Sequence, residues 1–278
     1  MIPMRADLAA RSLVRQARIM TQAQLSLGVA GTLGPARVAR IAAAAEGAGF
    51  HALWVNDTPS GDAIAALAAA ALETTTLGLS TGVLPVDRRP AAEIVRAVRD
   101  GGIPEGRLTL GIGAGGARVG ALAMVRDAAG TLRGELSARV LVGALGPRMR
   151  RLAATEADGP LLSWLTPDAA AGQAAEAHAL APHTHVALYV RTAVDPAASA
   201  RLHEEADRYG SYPAYRANFA RLGVGPRQTV LDADGFASGI GAYRAAVDEV
   251  VLRAIPVGDE VDDYGQFMDV VAEALAAG

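Results

Sequence analysis

The sequence predicts a (β/α)8 TIM barrel, and three observations lead to that fold class. Eight short apolar segments alternate with segments of helical periodicity. The apolar segments are rich in Val, Leu and Ile without strict alternation, which is typical of parallel strands covered by helices. The chain has 278 residues, and eight βα units need about 250. An open doubly wound sheet would show fewer strands in this length or a break between domains.

The order of the elements follows from the same pattern. The helical segment that follows the first strand places Val38, Ile41 and Ala45 on one face, and Asp62 and Asp168 stand where helix N-caps are expected. The predicted strands are residues 24–30, 51–57, 75–85, 107–113, 137–145, 160–167, 185–194 and 248–256.

The chain is expected to form one barrel domain over residues 21–278. Residues 1–20 are expected to lie outside it as a leader, either a loose helix or a disordered tail. The widest interval between strands, residues 195–247, contains Tyr209, Tyr212, Tyr215 and Phe219. These rings could pack as a helical lid on the same subunit, or they could form an interface between subunits. The interface predicts a homodimer.

Composition excludes several classes of function. A formal net charge of -3 argues against general nucleic-acid or membrane-surface binding, which needs a basic excess. The chain contains no cysteine, so disulfides, thiolate catalysis and cysteine-ligated metal are excluded. The first twenty residues lack the continuous apolar run of a signal peptide, and no apolar stretch is long enough for a membrane span. A cytoplasmic protein is therefore expected.

The ends of the predicted strands carry glycine and small apolar residues, as in Gly82-Val83, Gly113-Ala114 and residues 143–146. In a barrel these carboxyl ends form the active-site face. No cluster of His, Asp and Glu gathers there in the sequence, so neither a metal site nor a general acid–base pair is predicted. Glycine permits a close approach to the backbone, which favours a flat ligand.

The segment GIGAGG, residues 111–116, has the spacing of a dinucleotide fingerprint. A Rossmann unit requires an acidic residue at the end of the next strand, whereas ARVLVGAL ends in apolar residues and glycine. Three βα units also precede the segment. The pattern therefore favours a glycine-rich barrel strand end over a Rossmann fold.

Two further features have both a binding and a structural interpretation. Asp57, at the end of the second strand, could accept a hydrogen bond from a ligand or cap a loop. The turn GALGPR, residues 143–148, leads into a helix that begins with Pro147. Unpaired N–H groups at a helix start favour an anion, and Arg148 and Arg151 add positive charge. The turn is either a phosphate site or an ordinary βα connection.

Taken together, these segments resemble the bacterial luciferase-like family of flavin- or deazaflavin-dependent oxidoreductases. The resemblance covers most of residues 24–256, and the last segment below resembles the methylenetetrahydromethanopterin-reductase-like branch. The matching segments are AEGAGFHALWVND (45–57), TTTLGLSTGVLPVDRRPAAEIVRAV (74–98), RLTLGIGAGG (107–116) and ALGPRMRRLAATEADGPLLSWLTP (144–167).

The resemblance implies a cofactor site and a non-prolyl cis peptide at Gly82-Val83 beneath the cofactor ring. It implies that Asp57 lies near the pterin-like end of the ring and that the turn of residues 143–147 holds the phosphate. Many relatives have histidine where this chain has Thr58, and some deazaflavin-dependent members have glutamate after the fourth strand. No catalytic residue or metal ligand is therefore assigned. The predicted cofactor-binding residues are Asp57, Gly82, Val83, Gly113, Ala114, Gly143, Ala144, Leu145, Gly146, Pro147 and Arg148.

The function predicted from the sequence is hydride transfer between a deazaflavin, coenzyme F-420, and a small organic substrate. The deazaflavin is preferred because the segment at residues 144–167 resembles the reductase-like branch. One alternative is an FMN-dependent monooxygenase of the luciferase-like type. Another is a degenerate barrel that has lost its cofactor and serves as a binding or partner subunit.

Overall fold

The computed structural model describes residues 22–277 of the chain as a closed barrel of parallel strands. The strands pair in sequence order, and the last strand pairs with the first, so the predicted (β/α)8 fold is confirmed. The predicted leader, residues 1–20, lies outside the described residues. The strands are β1 Gln24–Ala30, β2 Ala52–Asn56, β3 Gly78–Pro85, β4 Leu108–Gly113, β5 Arg139–Gly143, β6 Gly159–Ser163, β7 Ala187–Thr192 and β8 Glu249–Ala254.

Helices follow the strands and cover the outside of the barrel, and two extra helices lie between β7 and the helix that leads to β8. The α-helices of the described part are α1 Pro35–Gly47, α2 Ala63–Glu73, α3 Ala91–Asp100, α4 Ala121–Glu135, α5 Pro147–Glu156, α6 Pro167–Leu180, α7 Ser199–Ser211, α8 Pro213–Leu222, α9 Phe236–Ala246 and α10 Val261–Ala277. Short 3-10 turns occupy Gly31–Leu33, Glu105–Arg107, Pro196–Ala198 and Pro226–Thr229.

One of the two predicted helix caps is correct. The Asp62 carboxylate accepts the backbone N–H groups of Ile64 and Ala65, both at 3.0 Å, and so caps α2. The prediction for Asp168 is wrong, because the cap of α6 is Thr166 and Pro167 is the first helical residue. Proline suits that position because the N–H of the first helical residue has no acceptor within the helix, so the lack of one costs nothing.

The third strand begins at Gly78, three residues later than the sequence predicts. The reason is the carboxylate of Glu46, which lies just before the end of α1. It accepts the backbone N–H groups of residues 75–77 at distances of 2.6 to 3.2 Å. These hydrogen bonds lower the pKa of Glu46 to about 2. The loop is thereby held by α1 and not by the neighbouring strand.

The strands are buried on both faces, which explains their continuous apolar sequences. One face packs against the helices and includes Leu27, Leu53 and Val55. The opposite face fills the barrel interior with residues that include Trp54 and Tyr189, whose rings meet edge to face at 5.8 Å. The interior is therefore a packed core and not a channel.

A buried carboxylate ties three strands and the segment before β7 together inside the barrel. Glu249 of β8 accepts hydrogen bonds from Ser26 of β1 and Trp54 of β2, both at 2.6 Å, and its second oxygen lies 2.8 Å from His185 Nε2, just before β7. Burial raises the pKa of Glu249, but the hydrogen bonds from His185, Ser26 and Trp54 outweigh it and lower the pKa overall. The glutamate therefore stays charged and paired.

The interval between β7 and β8 forms a lid on the same subunit. Tyr209 of α7 and Phe219 of α8 pack against Trp164, which follows β6, with ring centroids 4.8 and 6.0 Å away. Tyr215 contacts Tyr209 at 4.9 Å. These rings therefore cover the barrel of their own chain, and they supply no argument for the predicted homodimer. In residues 22–277 no helix is both long and apolar enough to cross a membrane.

Candidate functional site at the carboxyl ends of the strands

The structure brings the predicted cofactor-binding residues to one face of the barrel. Gly82 and Val83 lie in the last half of β3, while Gly113 and Gly143 end β4 and β5. The remaining residues follow strand ends: Asp57 follows β2, Ala114 follows β4, and Ala144, Leu145, Gly146, Pro147 and Arg148 follow β5. Because all strands are parallel, these positions share the carboxyl mouth of the barrel.

The third strand has the local geometry that the resemblance implies. The Gly82–Val83 peptide bond is cis. The register between β3 and β4 shifts at the same place, since Gly82 pairs with Gly111 whereas Leu84 pairs with Ile112. Val83 is the extra residue of this bulge. It is half-buried, so part of its side chain is accessible at the mouth.

The glycines of the mouth make room for two side chains of the protein. A Cβ on Gly113 would lie 2.9 Å from a Val83 methyl group, and one on Gly143 would lie 3.0 Å from the other methyl group. A Cβ on Gly82 would collide with the Tyr189 ring and hydroxyl. The small residues therefore seat Val83 between β4 and β5 and Tyr189 beneath β3. Val83 then forms the raised floor of this part of the mouth.

Asp57 has a structural role in the loop after β2. Its Oδ1 accepts the backbone N–H of Ala63 at 3.2 Å, and its Oδ2 lies 3.3 Å from the Arg88 guanidinium. Burial raises the pKa of Asp57, while the Ala63 N–H and Arg88 oppose that shift in part. In the structure, Asp57 therefore caps the loop after β2. Contact with a ligand stays a prediction.

The GIGAGG segment behaves as a barrel strand end. A Cβ on Gly111 would collide with the Thr81 carbonyl oxygen of the adjacent strand. Beyond the strand, the Gly116 N–H donates to Asp87 at 2.8 Å. Close strand packing and a loop hydrogen bond therefore account for these glycines, and the closed barrel excludes the Rossmann alternative.

The turn before α5 is open and rich in arginine. Gly146 is the N-cap of α5 and has no side-chain cap, and a Cβ there would meet nothing within 4 Å. The carbonyl of Leu145 accepts hydrogen bonds from Arg150 at 3.3 Å and from Arg221 of the lid at 2.7 Å. Two guanidinium groups, of which Arg150 is ion-paired with Glu176 at 2.9 Å, therefore lie beside the first turn of a helix, where an anion is favoured.

Sequence reasoning missed a charged network on the other side of the mouth. Glu205 of the lid helix α7 accepts a hydrogen bond from Arg191 Nε of β7 at 3.2 Å. The Arg191 guanidinium also donates to Ser163 of β6 and lies 4.1 Å above the Trp164 ring. Arg191 is 5% exposed, so its charge is compensated within the protein.

Arg253 of β8 extends this network towards β3. Its Nε donates to Asn56 Oδ1 at 3.0 Å, and the Asn56 amide donates to the Gly82 carbonyl. Burial raises the pKa of Glu205, but Arg253 and Arg191 outweigh it and lower the pKa overall. A charged residue at the second-last position of both β7 and β8 was the available sequence signal.

The comparisons with known proteins agree with this geometry. The family model described as luciferase-like monooxygenase matches residues 16–134. Residues 16–134 belong to the luciferase-like family. The predicted resemblance is thereby confirmed. No curated protein sequence matches the chain significantly.

Solved structures of the same fold cover nearly the whole chain. An F-420-dependent secondary alcohol dehydrogenase has a TM-score of 0.71 at 18% identity, over 92% of this chain and 99% of that one. The coenzyme F-420-dependent tetrahydromethanopterin reductase from Methanopyrus kandleri has 0.68 at 16% identity, over 91% and 98%. A monooxygenase from Streptomyces bottropensis has 0.64 at 17% identity, over 91% and 99%. At these identities the likeness shows a shared fold.

Proposed function

We propose that this luciferase-like barrel is an oxidoreductase that transfers hydride between a deazaflavin, coenzyme F-420, and a small organic substrate. The observation that carries the proposal is the surface made by Val83, Gly113 and Gly143, which leads directly to the open turn at Gly146. The named activities of the structural neighbours support a redox function, since two depend on F-420 and one is a monooxygenase.

The residues present fit an elongated, flat cofactor with an anionic end. At the turn, Gly146 leaves space where any other residue would place a side chain, and Arg150 and Arg221 lie beside it. At the floor, Val83 offers an apolar surface, and Gly113 and Gly143 leave the room that its side chain occupies. A phosphate is therefore assigned to the turn, and the ring to Val83.

The protein side of the reaction is binding and orientation. When bound, a deazaflavin supplies the hydride acceptor or donor. Val83 supports one ring face, and the lid aromatics around Trp164 restrict water at the mouth. Asp57 holds the loop after β2 through Ala63 and Arg88, so we assign it to positioning. A proton that the reaction needs would come from the substrate or from water.

Titration with each coenzyme tests the proposal. The purified protein is titrated with F-420 and, separately, with FMN while coenzyme fluorescence is followed. Saturable binding of F-420, tighter than that of FMN, is expected. Preference for FMN would favour the luciferase-like monooxygenase instead. Binding of neither would favour a degenerate barrel that acts as a partner subunit.

The predicted homodimer and the cytoplasmic location stay predictions. The family habit is the remaining motive for the dimer, because the lid aromatics pack within the subunit. Light scattering at micromolar protein concentration measures the mass directly. A monomer mass would remove the homodimer from the proposal.

A further inference from the structure

A small polar cavity lies at the carboxyl ends of β1 and β8, beneath the lid helix α7. Its volume is about 250 Å³, which suits a ligand of a few heavy atoms. The barrel contributes Ala30 and Arg253, and α7 contributes Glu205 and Arg208. This cavity is separate from the predicted turn at Gly146, which lies beyond β5.

The cavity is linked to the proposed ring position by two hydrogen bonds, through Arg253 and Asn56. Arg253 lines the cavity and donates through Nε to Asn56, and Asn56 donates to the Gly82 carbonyl in the floor of the mouth. A molecule held at Arg253 therefore lies on the β1–β8 side of the surface to which the coenzyme ring is assigned.

Hydrogen bonding around Glu205 is incomplete on the cavity side. Its Oε1 is bound by Arg191 at 3.2 Å. Its Oε2 lies 3.9 Å from Arg253 NH2 and 3.8 Å from Arg208 NH2. Both distances are too long for hydrogen bonds. Two guanidinium groups therefore stand at the cavity without a direct acceptor at these nitrogens.

The balance of charge favours an added anion. The buried part of the network holds Arg191, Arg253 and Glu205, whose side chains are 6%, 12% and 13% exposed. Two positive charges thus share one negative charge, and the charges of Arg208 and Glu204, both exposed at the rim, offset each other. Buried charges are normally paired, because an uncompensated charge loses its hydration. A planar carboxylate matches the fork of a guanidinium group.

Arg201 and Asp259 also line the cavity, and they bind each other at 2.8 Å. That pair is neutral overall, so it leaves the balance around Glu205 unchanged. The described lining guanidinium groups with an N–H donor left to pair are therefore those of Arg253 and Arg208.

We propose that the substrate of this oxidoreductase carries a carboxylate, which binds Arg253 and Arg208 in this cavity beside Glu205. The substrate class is thus a small organic acid whose reacting carbon points from the cavity towards Val83. This inference rests on the proposed function, because it names the substrate of the same mouth. The Glu205 carboxylate competes with the substrate carboxylate for these arginines and repels it.

The two tryptophans of the chain allow a direct test without coenzyme. Trp164 lies under Arg191 in the charged network, whereas Trp54 donates to Glu249 in the barrel interior. The full chain labelled with 15N gives one indole N–H signal for each, assigned with Trp54→Phe. Acetate is the probe, and acetamide, which has the same shape without charge, is the matched control. Ionic strength is kept constant.

We expect acetate to shift the Trp164 indole signal saturably and acetamide to leave it in place. Arg208→Gln should weaken acetate binding about tenfold, the effect of losing one charge-assisted hydrogen bond. Arg216→Gln, which changes an exposed arginine of α8 outside the cavity, should bind acetate as the unchanged protein does. Glu205→Gln should bind acetate more tightly, a gain that a purely structural role would not produce.

Equal shifts with acetate and acetamide would overturn the proposal, and so would unchanged affinity in Arg208→Gln. If Glu205→Gln does not fold, the Arg208→Gln comparison decides alone. Failure here would leave the coenzyme titration untouched, since no coenzyme is present. A failed coenzyme titration with intact acetate binding would in turn reject the redox function and keep a carboxylate site.

Discussion

Replacing Gly146 with aspartate tests the assignment of the coenzyme phosphate to the turn before α5. Gly146 is the N-cap of that helix, with φ -98° and ψ 155°, a conformation open to any L-residue. A Cβ there would meet nothing within 4 Å. Aspartate and asparagine are both favourable N-caps. Neither substitution should therefore destabilise the fold, and Gly146→Asn is the uncharged control of the same size.

The magnitude follows from charge repulsion and from lost hydrogen bonds. A carboxylate about 5 Å from a phosphate repels it by roughly 3 kcal/mol at an effective dielectric constant of about 20. Displacing one charge-assisted hydrogen bond costs about 1.5–3 kcal/mol in addition. Gly146→Asp should therefore weaken F-420 binding by at least about tenfold, since about 1.4 kcal/mol corresponds to that factor. Gly146→Asn should lose less, because only the steric part remains.

Coenzyme fluorescence titration of the three proteins measures these differences, and circular dichroism with thermal melting checks the fold. Raising the salt concentration should narrow the gap between Gly146→Asp and Gly146→Asn, because salt screens exposed charges. If Gly146→Asp binds F-420 as the unchanged protein does while its fold is intact, the phosphate lies elsewhere.

Three further predictions concern the fold. Gly111→Ala should destabilise the protein by about 1–3 kcal/mol in urea denaturation, because its Cβ would collide with the Thr81 carbonyl. Gly134→Ala is the control, since the space there is open, and it should not lower the free energy of unfolding. Glu46→Gln should lower the stability at pH 7, and the difference in stability from the unchanged protein should vanish as the pH falls from 4.5 towards about 2. The reason is that a group with a lowered pKa stabilises the fold only while it is charged. A difference in stability that persists at pH 2 would contradict this. Glu249→Gln should cost about 1–3 kcal/mol, because the amide nitrogen cannot accept the hydrogen bond that the second carboxylate oxygen accepts; an unchanged melting temperature would refute it.

The position and order of the barrel elements could be predicted from local sequence. The apolar runs from Gln24 to Ala30 and from Leu108 to Gly113 are continuous because both faces of each strand are buried. Strand ends were less predictable. Thr75 to Leu77 have the composition of a strand, but a distant carboxylate, Glu46, takes their N–H groups. That competition depends on tertiary contact.

The candidate site divides in the same way. Its glycines and the turn at Gly146 could be found in the sequence, because small residues at strand ends and a proline at a helix start have local causes. The side chains that occupy the space beside these glycines could not be predicted from the sequence. Val83 fills the space beside Gly113 and Gly143, and Tyr189 fills the space at Gly82 from the far side of the barrel.

By itself, the sequence determined the eight-strand barrel and the glycine-lined carboxyl mouth, since hydrophobic periodicity and turn residues are local properties. Only the tertiary structure decided that Arg191 and Arg253 share Glu205, and that a polar cavity opens beside them. These residues are separated by up to 62 positions, and no local pattern links them. Closure of the barrel brings β7 and β8 together, and the lid helix then delivers the carboxylate between two arginines.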